Sequence, residues 1–282
     1  MSSPRCADLS RAAGEPLAAT ATTAERWLLV EVPGTWPRDV SDEGALPEGA
    51  QEAVSTWLAG TPGSRLQFVR RPGRSGARTV VFVVRAEETV AEMRRIELAD
   101  HADLAHVDFE TDGDLTKTRL ALVCGHGTRD ACCARDGTAV FGALAETLRR
   151  EDLWISSHQG GHRFAANVLV LPAGLQFGRV EADEAPSLVA RALEGTIELG
   201  RYRGRTCYPQ AVQAAERAVR EAAKLEGVTD LRLAGTDGPL VHFRAQDGTE
   251  FVAVVEEIEG PTTPASCGAD PEPQKVFRAR IV

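Results

Sequence analysis

No apolar run in this chain approaches the roughly 20 residues that a helix needs to span a bilayer. The N-terminus, Met-Ser-Ser-Pro-Arg-Cys6-Ala-Asp-Leu, has no apolar stretch of the kind a secretory signal carries, so no signal peptide is expected. An excess of base is also missing. The 32 Lys and Arg stand against 41 Asp and Glu, for a net charge of −9. That argues against nucleic acid or an anionic membrane as the main partner. Low-complexity tracts and coiled-coil heptads are absent, and so is a Cys-x-x-Cys at a helix start. Six cysteines without a secretory signal point to a reducing compartment, read here as the cytoplasm. Clustered cysteines there more often bind metal or do redox work than form disulfides.

What is present is an ordinary globular composition, 43% hydrophobic and 26% charged, over 282 residues. That length predicts two or three domains. A faint internal duplication organises the first two-thirds. Leu28 to Gly34 and Ala121 to Gly127 both read as a buried strand ending in a turn. Amphipathic stretches follow them, Glu48 to Leu58 and Thr138 to Arg150. Next come the strands Arg65 to Val69 and Leu153 to Ser157, then Thr79 to Val84 and Asn167 to Leu171, rich in β-branched and aliphatic residues. Each half then returns to helix, over Glu88 to Ala99 and Ala185 to Leu199.

The order β-α-β-β-α in both halves predicts an α/β fold of two thioredoxin-like lobes, the second carrying the site. In this register Glu31 falls where Cys124 falls, and Arg70 to Arg74 falls where His158 to His162 falls. The first lobe then lacks the ligands and reads as a scaffold or docking lobe. The polar stretch Glu110 to Lys117 reads as the connector. Residues 201–282 predict a small α+β unit: a helix starting near Pro209, then short strands with turns at Asp237-Gly238 and Asp247-Gly248. Gly260 to Pro273 reads there as an irregular loop. The expected units are therefore 1–110, 111–200 and 201–282.

Chemistry concentrates in two glycine-punctuated segments, Cys124-Gly-His-Gly-Thr-Arg-Asp-Ala-Cys132-Cys133 and His158-Gln-Gly-Gly-His162. Two thiolates and two imidazoles make a four-ligand set for a transition metal or an iron–sulfur centre. Cys124 closes a buried strand, and the cysteine pair precedes a helix whose N-terminus favours a thiolate. Neighbouring side chains point different ways, so one of Cys132 and Cys133 is the ligand and the other packing; spacing does not choose between them. Gly160-Gly161 argues for a loop that presents both imidazoles inward. His126 is a competing ligand. Arg129 and Arg163 are candidates to contact the centre, with a surface ion pair the plainer role for each. Cys6, Cys207 and Cys267 stand alone in sequence and read as packed side chains.

The pattern Cys-x-His-Gly-x-Arg-Asp-x-Cys-Cys-Ala, followed by Ser-His-x-Gly-Gly-His-Arg-Phe-Ala-x-Asn, resembles the sucrase/ferredoxin-like family, which belongs with the thioredoxin-like ferredoxins. Cys6-Ala-Asp-Leu-Ser-Arg, Gly14-Glu-Pro16, Trp27-Leu-Leu-Val-Glu and Ser266-Cys-Gly268 support the likeness. The resemblance implies a [2Fe–2S] cluster with Cys124 and Cys133 on one iron and His158 and His162 on the other. It thus selects Cys133 over Cys132. Nothing supports the word sucrase: no carboxylate pair suits glycosidase chemistry.

Replacing two thiolates by neutral imidazoles raises the charge of an oxidised cluster from −2 to 0 by formal counting, which favours reduction. The expectation is therefore a cytoplasmic one-electron carrier or redox sensor, exchanging electrons with an unidentified redox protein and having no substrate chemistry of its own. Two alternatives are a structural zinc module on the same Cys₂His₂ set and a thioredoxin-like thiol oxidoreductase using Cys124 with Cys132 or Cys133.

Overall fold

The computed structural model describes residues 4–41, 44–73 and 78–282; Arg74, the last residue of the basic segment aligned above with the histidine loop, lies outside them. Continuous aliphatic and β-branched runs become inner strands because both faces of the sheet are covered. In the first half these are β1 (Arg26–Glu31), β2 (Ser64–Arg70), β3 (Thr79–Ala86), β4 (Ala91–Leu98) and the short β5 (Asp114–Leu115). In the second they are β6 (Leu120–Cys124), β7 (Leu153–Ser156), β8 (Val168–Leu171), β9 (Leu175–Phe177) and β10 (Tyr202–Arg205). All ten join one mixed sheet in the order β10, β9, β8, β6, β7, β2, β1, β3, β4, β5.

Helices α2 (Glu48–Gly60), α3 (Ala131–Ala145) and α4 (Ala185–Leu193) accompany this sheet, and α1 (Cys6–Ala12) lies ahead of it. A second, antiparallel sheet is built from β11 (Leu231–Asp237), β12 (Leu240–Ala245), β13 (Glu250–Pro264) and β14 (Pro271–Ile281). Helix α5 (Gln210–Ala223) lays Val212, Ala215 and Val219 against Phe243 and Ala253 of that sheet. The architecture is mixed α/β. Among the described residues, no helix is long and apolar enough to cross a membrane.

Pairing repeats along the large sheet. Strand β1 is parallel to β2 and antiparallel to β3; β6 is parallel to β7 and antiparallel to β8. The two sets meet where β2 pairs antiparallel with β7, Val69 opposite Ser156. This join places the end of β7, and the histidine loop that follows it, beside the first half of the chain.

Three local expectations are corrected. Residues 88–99 do not form a helix; β4 pairs with β3 over its whole length. Met93 and Ile96 mimic helical spacing because the strand sends a buried apolar side chain to each face. Met93 packs with Trp27 and Phe82, whereas Ile96 and Leu98 pack with Leu28 and Phe68. Helix α3 covers Ala131–Ala145 rather than Thr138–Arg150, because the Asp130 carboxylate caps it by accepting the Cys132 N–H at 2.8 Å. Gly260–Pro273 is largely strand: β13 and β14 stay paired out to Pro264 and Pro271, with a register shift between Glu259 and Thr262 that accommodates Pro261.

Candidate metal centre

Cys124 ends β6 and Cys133 sits in the first turn of α3. They approach because α3 packs directly on the strand end. A methyl group on Gly137, one turn further along α3, would overlap the Cys124 carbonyl oxygen, so only glycine permits this approach. The sulfurs of Cys124 and Cys133 and an imidazole nitrogen of His158 lie within 4.8 Å of one another. The Nδ1 of His162 stands 3.9 Å from the Cys133 sulfur. The rings of His158 and His162 stack, with centroids 3.8 Å apart. All four sequence-predicted ligands therefore converge, and Cys133, not Cys132, is the residue that faces Cys124.

The loop between β7 and β8 is held from every side. Gly160 and Gly161 take φ of +89° and +72°, a region open to glycine at no steric cost. Buried Arg203 donates to Gly160 O at 2.9 Å and to Asn167 Oδ1 at 2.8 Å, and Asn167 in turn donates to Gly161 O. The Gln159 side chain donates to Leu122 O and to Ser156 Oγ, which ties the loop back to β6 and β7. Arg65 and Gln67 of β2 donate to His158 O, so the first half of the chain also positions His158.

The electrostatics suit a cation. Donation from Cys133 and the nearby His158 hold the Cys124 thiol well below its ordinary value, while that shared proton and burial push Cys133 well above. Burial, then the neighbouring His158, takes His162 down to about 4, so its ring is neutral near pH 7. The Nδ1 of His158 is buried without a hydrogen-bond partner. An unsatisfied buried nitrogen is costly, and a metal ion would satisfy it.

His126 is not a ligand. Its Nε2 hydrogen-bonds Pro37 O at 2.8 Å and its Nδ1 accepts the His158 backbone N–H at 3.1 Å, so both ring nitrogens are taken. Arg129 pairs with Asp39 at 3.6 Å, and Arg163 with the buried Glu15 at 2.7 Å. Both take the ion-pair role. A cleft of about 340 Å³ lined by Arg38, Arg65, Arg129, His126 and His158 opens beside the centre.

Cys207 packs in the core under the second sheet, as expected. Cys6, Cys132 and Cys267 do not stand alone. They meet at Asp130 in a second group able to hold a metal. Donation from Cys6 lowers the Cys132 thiol to about 7. The Asp130 carboxyl, although burial would raise it, lies below its usual range because the Cys267 and Cys132 N–H groups donate to it. No local motif announces this group; its cysteines are more than a hundred residues apart.

A mixed α/β fold with a thiolate–imidazole pocket defines a candidate metalloprotein. Residues 17–204 match the family described as sucrase/ferredoxin-like, and the chain belongs to that family. It is 32% identical to altered inheritance of mitochondria protein 32 of Saccharomyces kudriavzevii, over 60% of this chain and 70% of that protein. It is 28% identical to the protein of the same name in Meyerozyma guilliermondii, over 39% of this chain and 42% of that one. A third, from Clavispora lusitaniae, is 33% identical over 31% of this chain and 35% of its own length. Against these last two, the chain spans less than half the relative's length. No solved structure matches.

These comparisons correct the functional expectation. The relatives are named for mitochondrial inheritance, and neither their names nor the family match carries an iron–sulfur or electron-transport role. The reading as a [2Fe–2S] one-electron carrier or redox sensor does not stand. The physical reason is that two thiols and two imidazoles accept several transition metals, so the ligand set alone does not define a cluster or an electron-transfer function.

Proposed function

We propose that the chain is a metal-binding protein in which Cys124, Cys133, His158 and His162 hold a transition-metal centre. The observation that carries this reading is the buried, unpartnered Nδ1 of His158 on a ring that lies against two buried thiols. A cation there would replace the proton the two sulfurs share and would relieve the orphaned nitrogen. The bound metal would supply Lewis acidity or a structural cross-link. The protein's part is to fix the donors between the ends of β6 and β7 and to keep the His162 imidazole neutral and therefore able to ligate.

The matching strand pairings of β1, β2, β3 and of β6, β7, β8 support two related thioredoxin-like lobes, with the metal on the second. Six unpaired cysteines favour a compartment that keeps thiols reduced. The cytoplasm suits this, and the relatives' names make a mitochondrial location the alternative that cell fractionation would test.

The deciding experiment counts zinc, iron and acid-labile sulfide in anaerobically purified full-length protein, which identifies the occupant. Cys124→Ser and His158→Ala should each lose metal relative to the wild type. Protein offered zinc(II) or iron(II) that binds no metal sensitive to either substitution would overturn the proposal.

A further inference from the structure

Cys132 and Cys133 are adjacent in the first turn of α3, so their side chains diverge by about 100° around the helix axis. Cys133 turns to Cys124, and Cys132 turns to a different side of the helix. There the Cys132 sulfur lies 3.7 Å from that of Cys6 and 3.4 Å from that of Cys267, and the third edge, Cys6 to Cys267, is 3.6 Å. The carboxylate of Asp130 caps this triangle, at 3.7 Å from Cys6 and 3.4 Å from Cys267. We propose that Cys6, Asp130, Cys132 and Cys267 form a second metal site, distinct from the centre at Cys124, that takes one tetrahedral zinc(II) ion and clamps three remote segments of the chain together.

The geometry is that of a cage. A zinc–sulfur bond of about 2.3 Å in a tetrahedron sets sulfur–sulfur edges of about 3.8 Å. The three observed edges fall just below that, and they are nearly equal. A disulfide would single out one pair at about 2.0 Å and leave the third thiol apart. Cys6, Cys132 and Asp130 are buried, at 0%, 0% and 4% exposure. Among the described residues, no basic side chain forms an ion pair with the buried Asp130. Three soft donors and one carboxylate suit zinc rather than magnesium or calcium, which take oxygen shells.

The surrounding groups fit a dianionic zinc complex. The Cys132 and Cys267 backbone N–H groups donate to the two oxygens of Asp130, each at 2.8 Å. The N-terminus of α3 points its dipole at the cage. These contacts orient the ligands and spread the charge.

The placement indicates what the ion does. Cys6 begins α1, Cys132 lies in α3, and Cys267 sits in the turn between β13 and β14. Zinc would join the N-terminal helix, the large sheet and the C-terminal hairpin at one point. Cys6 and Cys267 lie outside residues 17–204, the stretch that the family model matches.

The test is metal analysis of the full-length protein, loaded with zinc(II) and freed of excess. Cys6→Ser and Cys267→Ser should each lose one zinc per chain while retaining the metal that Cys124→Ser removes. The Cys124→Ser, His158→Ala double variant should keep this zinc, so failure of the first centre is distinguishable from failure of the second. Cobalt(II) substituted in that double variant should show tetrahedral visible bands and a sulfur-to-cobalt charge-transfer band, weakened when Cys267→Ala is added. Cys267 is partly exposed in a turn, so this arm holds even if Cys6→Ser fails to fold. Zinc content unchanged by Cys267→Ser would overturn the proposal. So would an intact mass two daltons light that maps to a disulfide among these three cysteines.

Discussion

The imidazoles of His158 and His162 lie face to face, 3.8 Å between centroids and 14° from parallel. Burial, then the adjacent His158, holds the His162 ring well below its ordinary value, at about 4, so this imidazole is neutral near pH 7. Neutral imidazole is the ligating form. With His162 already neutral, the proton a metal must displace is the one held between the Cys124 and Cys133 sulfurs, so affinity at this centre falls as pH falls. The expected slope is about tenfold per pH unit for each proton released on binding. Chelator competition at neutral and mildly acidic pH measures it; affinity independent of pH would count against ligation by these residues.

His126 should matter without being a ligand. Its Nδ1 accepts the His158 N–H and its Nε2 is anchored to Pro37. His126→Ala frees the backbone that presents the ligand. The expected effect is a ten- to hundred-fold loss of metal affinity with the saturating metal count unchanged. Loss of the count itself would instead make His126 a ligand.

Gly137→Ala tests the approach of α3 to β6. The added methyl meets the Cys124 carbonyl, a backbone atom that cannot rotate away. The helix must shift, carrying Cys133 from Cys124. We expect about 3 kcal/mol of destabilisation together with weakened metal binding. Gly142→Ala on the same helix, where nothing lies within 4 Å, should be neutral or slightly stabilising because alanine favours helix. Urea denaturation of both variants compares them.

What could be read from sequence was what depends on neighbours along the chain. Strands β3 and β8 are runs of β-branched and aliphatic residues, and the histidine loop is marked by its two glycines. Strand β4 does not read as a strand because Met93 on one face and Ile96 and Leu98 on the other serve different clusters, a fact of the sheet and not of the segment. The choice between Cys132 and Cys133 needed the helix register, which begins at Asp130 and not at Thr138. The segments around Cys6, Cys132 and Cys267 carry part of the family likeness, but nothing in them says that the three sulfurs meet, because a site assembled from three ends of a fold has no spacing. His126 looked like a ligand by proximity; only its hydrogen bonds to Pro37 and His158, made across the fold, remove it.

Gly161 couples the loop to the core, and its substitution separates strain from crowding. It takes φ of +72°, and a methyl there would lie 2.6 Å from the Arg203 Nη2 and 2.8 Å from the Phe164 ring. Arg203 is fully buried, held to about 9 by burial and by the Arg163 charge, and its guanidinium supports Gly160 and Asn167. It cannot withdraw without leaving those acceptors unpaired. Gly34 also has a positive φ, +87°, but nothing lies within 4 Å of it. Gly34→Ala should therefore show the conformational cost alone, about 1–2 kcal/mol. Gly161→Ala should add the loss of charged hydrogen bonds, bringing the total to about 3–4 kcal/mol, and should weaken metal binding through the adjacent His162. Equal denaturation midpoints for the two variants would mean that Arg203 does not brace the loop.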